Sequence, residues 1–102
     1  MEKIAIYARS ATKNDNSISA QIRIIKNANK GAEFIEYIDN GCSGLSGNRP
    51  AMLKLMEDAK KQIFKTICAI DCTRLSRSFK LKLKIDAFFK KHDIKIKYLL
   101  GE

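Results

Sequence analysis

The chain reads as an α/β domain of three layers, in which a mainly parallel central sheet of about four strands carries helices on both faces. Two observations predict this. Apolar stretches of strand length alternate with amphipathic stretches of helical period in the order βαβαβαβ, which makes right-handed crossovers onto a parallel sheet the simplest topology. The chain also has 102 residues and 45% hydrophobic content, enough for one domain around a single modest core.

Residues 3 to 9 form the first strand, with Ile4-Ala5-Ile6 running into Tyr7, Ala8 and Arg9. The turn-rich KNDNS leads to a helix over Ser17 to Lys30, with Asn16 as its N-cap and Gly31 as its stop. Ile18, Ile22 and Ile25 recur at helical spacing and place one stripe against the sheet. Glu33 to Asp39 is the second strand, and GCSGLSGN after it is a polar loop with three of the chain's 5 glycines. Pro50 suits the first turn of the next helix, where its missing N–H is not needed. Met52, Leu55, Met56 and Ala59 give that helix its buried stripe, and Thr66 to Asp71 follows as a buried strand. A third helix over Phe79 to Lys91 points Leu81, Ile85, Phe88 and Phe89 inward and its lysines outward, and Ile94 to Leu100 is the last strand.

The charge balance narrows the function classes. With 20 Lys and Arg against 11 Asp and Glu, the formal charge is +9, a surface that attracts polyanions and above all nucleic acid. No apolar run approaches the ~20 residues that span a bilayer, and the first residues lack the apolar core of a signal peptide, so a cytoplasmic protein with no membrane partner is expected. Three cysteines without framework spacing fit a reducing compartment. Cys68 and Cys72 are far from His92, the one histidine, so no metal site is expected.

In parallel sheets functional residues gather beyond the carboxyl ends of the strands. In this chain those ends carry Arg9, then Asp39 with Ser43 and Arg49, then Arg74 and Arg77. Arginine stays charged and forks onto phosphate oxygens, so arginines converging with one aspartate on one rim suit a phosphodiester in its transition state. Strand alternation puts Tyr7, Arg9 and Ala11 on one face and Ala8, Ser10 and Thr12 on the other.

These segments resemble the serine recombinases of the resolvase and invertase type. YARSAT, Tyr7 to Thr12, is similar to their opening pattern of aromatic, any residue, Arg, aliphatic, Ser, then Ser or Thr. DNGCSGLSGNRP, Asp39 to Pro50, resembles their Asp, Gly, Ser-Gly and Arg-Pro block, and TRLSRS, Thr73 to Ser78, their Asp-Arg-Leu-x-Arg motif. The resemblance implies a resolvase-like fold and DNA strand exchange in a mobile element through a 5′-phosphoserine link, without metal or other cofactor. It also implies that Arg9, Arg49, Arg74 and Arg77 bind the scissile phosphate while Asp39, Ser43, Tyr7 and Gln21 shape the site. The implied partners are DNA and, in a full-length protein, further copies in a dimer or tetramer. The family's long dimerisation helix and DNA-binding region have no counterpart in these 102 residues.

Two positions depart from the pattern. The nucleophilic serine falls on Ala11, which has no nucleophilic atom, so the chain as written is not expected to cleave DNA. Ser10 replaces it only if the strand end bulges or breaks, and Thr12 is the other nearby hydroxyl. Thr73 stands where the family has an aspartate, with Asp71 two residues earlier as a substitute on the same strand parity. Two other classes stay open: a cleavage-deficient DNA-binding or regulatory module derived from a recombinase, and a small phosphate-binding or phosphatase domain.

Overall fold

The computed structural model describes residues 3–10, 17–41 and 49–100. Its elements follow in the order β1 (Lys3–Ser10), α1 (Ser17–Ala28), β2 (Glu33–Asn40), α2 (Pro50–Lys60), β3 (Thr66–Ala69), α3 (Cys72–Leu75), α4 (Phe79–Lys91) and β4 (Lys95–Tyr98). The four strands pair in parallel in the order β2-β1-β3-β4. None of the helices among the described residues is long and apolar enough to cross a membrane.

The strand order explains how the core is divided. Ile4 and Ile6 point to one face of β1, where Ile25 of α1 packs with Cys68 and Ile70. Ala5 and Tyr7 point to the other, against Leu55 and Ala59 of α2 and Ile85 and Phe89 of α4. The sheet is therefore covered on both faces, as a parallel sheet must be to bury its strands. The chain runs from β1 outward to β2 on one side, then returns past β1 to β3 and β4 on the other. The switch point of the topology thus lies between β1 and β3, the place where parallel sheets of this kind usually carry their ligands.

The observed helices match their periodic patterns closely, and α4 has the bounds its sequence predicts. The expected stop of α1 at Gly31 takes a left-handed φ of +91°, a conformation glycine adopts without strain. Three differences have physical causes. The third strand ends at Ala69 rather than Asp71, because Asp71 turns to cap a one-turn helix, α3, accepting from the Thr73 amide. The last strand is shorter than Ile94 to Leu100, although the Leu99 and Leu100 amides still donate to the carbonyls of Ala69 and Ile70. Lys82 is not a freely solvated lysine of α4: its ammonium lies 2.8 Å from Asp86, one turn on. The expected N-cap at Asn16 lies outside the described residues.

Candidate functional site

Arginine side chains gather at the carboxyl ends of the strands beside the switch point. Arg9, at the carboxyl end of β1, is 2% exposed, and Arg49, just before α2, is 1% exposed. The sheet brings Arg9 level with Asp39 across the β1–β2 pairing. After β3 the chain turns into α3, whose carbonyls face back toward β1. Arg9 donates through Nε to the Arg74 carbonyl at 3.0 Å and through Nη2 to the Thr73 carbonyl at 2.8 Å. Arg49 Nη1 donates to the same Arg74 carbonyl at 3.3 Å, while Arg74 Nη1 donates to the Arg9 carbonyl at 3.2 Å. Three guanidinium groups are thereby tied together by backbone carbonyls, which carry dipoles but no charge.

That arrangement is costly without an anion. Burial lowers the Arg9 pKa most, Tyr7 opposes it, and the positive charges of Arg49, Arg74 and Arg77 lower it further. Asp39 is the carboxylate beside them, yet its oxygens are already committed. Oδ1 accepts from the Ala51 amide at 2.8 Å, and Oδ2 accepts from the Met52 amide at 3.0 Å and the Tyr7 hydroxyl at 2.7 Å. Asp39 therefore caps α2 from the neighbouring strand, a helix whose own N-cap residue, Arg49, offers no side-chain cap. The Nε–H groups of Arg49 and Arg74 are buried and have no acceptor among the described residues. Buried donors of this kind are nearly always paired, and an oxyanion is an acceptor that two of them in one arginine cluster can take.

The surrounding side chains hold this frame rigid. Tyr7 is fully buried, and burial followed by its bond to Asp39 pushes its hydroxyl well above the usual value of 10.0. It stays protonated and donates. The β1–β3 pairing covers only Ile4 to Ile6, so the Arg9 peptide lies beyond it. Gln21 of α1 fills the gap: its Oε1 accepts from the Arg9 amide at 3.4 Å and its Nε2 donates to the Arg9 carbonyl at 3.1 Å.

Among the other predicted site residues, Arg77 is exposed and borders an open pocket of about 360 Å³ beside α3. Ser10 is buried on the opposite side of the strand from Arg9, its hydroxyl donating to Asn40 Oδ1 at 3.0 Å, and the register with β2 continues through it without a bulge. Asp71 does not replace a carboxylate at Thr73; its Oδ1 accepts from the Thr73 amide and hydroxyl. Ala11, Thr12 and Ser43 lie outside the described residues. The sequence offered no sign of the Thr73 and Arg74 carbonyls as arginine acceptors, since a backbone acceptor leaves no trace in residue identity.

Known proteins share this architecture. Residues 4–101 match the family model of the resolvase N-terminal domain. A curated relative, the putative DNA recombinase of Bacillus subtilis strain 168, is 36% identical over 104 aligned residues, covering 97% of this chain and 21% of its own length. The chain thus spans about a fifth of that relative. The N-terminal catalytic domain of TP901-1 integrase superposes with a TM-score of 0.90 at 32% identity, over 96% of this chain and 78% of that one. The C-terminal catalytic domain of ISC1926 TnpA, an IS607-like serine recombinase, superposes at 0.87 with 26% identity, over 98% of this chain and 69% of that one.

Proposed function

The chain belongs to the resolvase N-terminal-domain family of serine recombinases, and from that premise we propose that it is the part of a DNA recombinase that grips the scissile phosphate. Arg9, Arg49, Arg74 and Arg77 bind the phosphodiester, with Tyr7, Asp39 and Gln21 as positioning residues; Ser43 is assigned to the site from the family motif alone. The observation that carries this reading is the pair of buried Nε–H donors on Arg49 and Arg74 that find no acceptor among the described residues, within a cluster of arginines. A phosphodiester supplies two unesterified oxygens, which fit forked donors and would spread their charge over the arginines as a fifth ligand joins phosphorus. No metal or nucleotide cofactor enters the proposal. The proposed partners are DNA and, as in a full-length recombinase, further copies in a dimer or tetramer.

Cleavage by this mechanism needs a hydroxyl to attack phosphorus while the bond to the 3′-oxygen breaks, leaving the protein esterified to the 5′-phosphate and a free 3′-hydroxyl. At the matching position this sequence has Ala11. Ser10, turned toward Asn40, does not face the arginines. The chain as written is therefore a binding-competent, cleavage-deficient core. Ala11 also favours a second reading, a regulatory module derived from a recombinase.

The test is duplex DNA binding by fluorescence anisotropy over a salt series. With a formal charge of +9, the chain should bind weakly and with little sequence preference, log K falling linearly with log salt. Arg74→Ala should weaken binding about tenfold and flatten the salt slope. Undiminished binding by Arg74→Ala would falsify the shared phosphate site. A covalent adduct formed by Ala11→Ser but not by the unaltered chain would identify a recombinase core lacking only its nucleophile; no adduct from either favours the regulatory module.

A further inference from the structure

The pocket next to the arginine cluster has features that phosphate binding leaves unused. Cys72, Thr73, Ser76, Arg77, Ser78, Phe79 and Lys82 line this open space of about 360 Å³, and Phe79 stands 76% exposed at its edge. A single exposed phenylalanine is ordinary on a protein surface. This one is set apart by its neighbours. Arg77 and Lys82 place two cations on the same pocket, and Thr73, one of its walls, gives its carbonyl to Arg9. The pocket and the arginine cluster are therefore neighbours that share Thr73. Leu83, 53% exposed and four residues beyond Phe79 on α4, extends the apolar strip.

A flat aromatic ring beside guanidinium and ammonium groups is the arrangement that holds unpaired nucleotides: the base stacks on the ring and the backbone follows the cations. Lys82 is ion-paired with Asp86 at 2.8 Å, which offsets its charge, so Arg77 is the principal cation on the pocket. Building on the phosphate site above, we propose that this pocket receives the DNA nucleotide attached to the bound phosphodiester once it has left the base stack, its base against Phe79 and that phosphodiester held in part by Arg77. The ligand is a nucleotide within a DNA strand. The pocket would make the site prefer gapped or single-stranded DNA over an intact duplex, because a stacked base cannot reach Phe79 without leaving its pair.

The test measures binding of the chain to a fluorescent single-stranded oligothymidylate and to a duplex of equal length. Phe79→Ala is expected to weaken oligothymidylate binding by about 5- to 100-fold, the loss for one stacking ring, and to leave duplex binding nearly unchanged. Phe79→Trp should bind at least as well as the parent, and Phe79→Leu should fall with the alanine variant. Phe79 is exposed, so all three are expected to fold. Leucine matching the parent, or equal losses for single strand and duplex, overturns the stacking role. Thymidine 5′-monophosphate binding as tightly as the oligomer overturns the assignment to DNA and points to a free nucleotide. Self-association that Phe79→Ala abolishes, with oligothymidylate binding intact, overturns it in favour of a protein contact. Loss of duplex binding in Arg74→Ala reports separately on the phosphate site.

Discussion

Asp39 acts as a helix cap supplied from a neighbouring strand. Its two oxygens satisfy the amides of Ala51 and Met52 and the hydroxyl of Tyr7, three donors that are otherwise stranded where α2 meets the sheet. The carboxylate also lies close to the helix N-terminus, where the peptide dipoles favour negative charge. Replacing Asp39 by alanine should destabilise the protein by about 2–4 kcal/mol, combining a lost cap with a buried tyrosine hydroxyl left unpaired. Asparagine is not a remedy at this position, because its NH2 group turns a donor toward donors; Asp39→Asn should recover only part of the loss. Urea denaturation midpoints check both, and an asparagine variant as stable as the parent would show that full acceptance of all three hydrogen bonds is dispensable. The motif reading placed Asp39 at the rim from its position in the sequence. Its second task, holding α2 in place, is visible only once β2 and α2 are side by side.

At the scale of elements, the arginine cluster exists because β3 ends early. The β1–β3 pairing stops at Ile6 and Cys68, after which the chain turns into the single turn of α3. That leaves the last residues of β1 without a strand on one side. Gln21 of α1 stands in for the missing strand by bonding both the N–H and the C=O of Arg9, and α3 presents its carbonyls to the Arg9 side chain. Gln21→Ala should therefore cost about 1–3 kcal/mol, chiefly the penalty for losing the acceptor of the buried Arg9 amide, since the Arg9 carbonyl keeps Arg74 Nη1 as a donor. It should also accelerate hydrogen exchange at the Arg9 amide more than at Ile4 or Ile6. Equal protection at all three positions in the variant would mean that the glutamine is not the partner that matters. The helical periodicity of α1 marks Ile18, Ile22 and Ile25, but it says nothing of a polar residue buried among them. Gln21 was legible only through its place in a motif.

For the whole molecule, the tyrosines make a common prediction. Tyr7, Tyr37 and Tyr98 are the only 3 tyrosines, and all are raised above the ordinary value of 10.0, burial being the largest cause in each. Tyr7 and Tyr37 also donate to the carboxylates of Asp39 and Asp58, which further oppose ionisation. A raised pKa in the folded state means that the unfolded chain ionises first as pH climbs. The tyrosine contribution to stability is therefore fully present below pH 10.0 and is lost as pH rises above it. In a titration followed by the tyrosinate absorbance band, no tyrosine should ionise at its ordinary value while the near-ultraviolet circular dichroism is intact. The three should appear together with unfolding. One tyrosine titrating reversibly near pH 10.0 in the folded protein would contradict the burial assigned to it.

Local chemistry and periodicity were enough to determine the sheet class, the position and type of most elements, and the set of arginines at the strand ends. Amphipathic spacing is dictated by which side chains must leave water, and that information is carried by the residues themselves. The tertiary structure alone decided that Arg9, Arg49 and Arg74 meet through three backbone carbonyls, that Asp39 caps a helix, and that Asp71 turns to its own helix. It also set Arg77 and Phe79 on one pocket. Carbonyl acceptors are common to every residue, and donors from separate elements meet only when packing fixes the distances between them, so no pattern in the chain could announce these contacts.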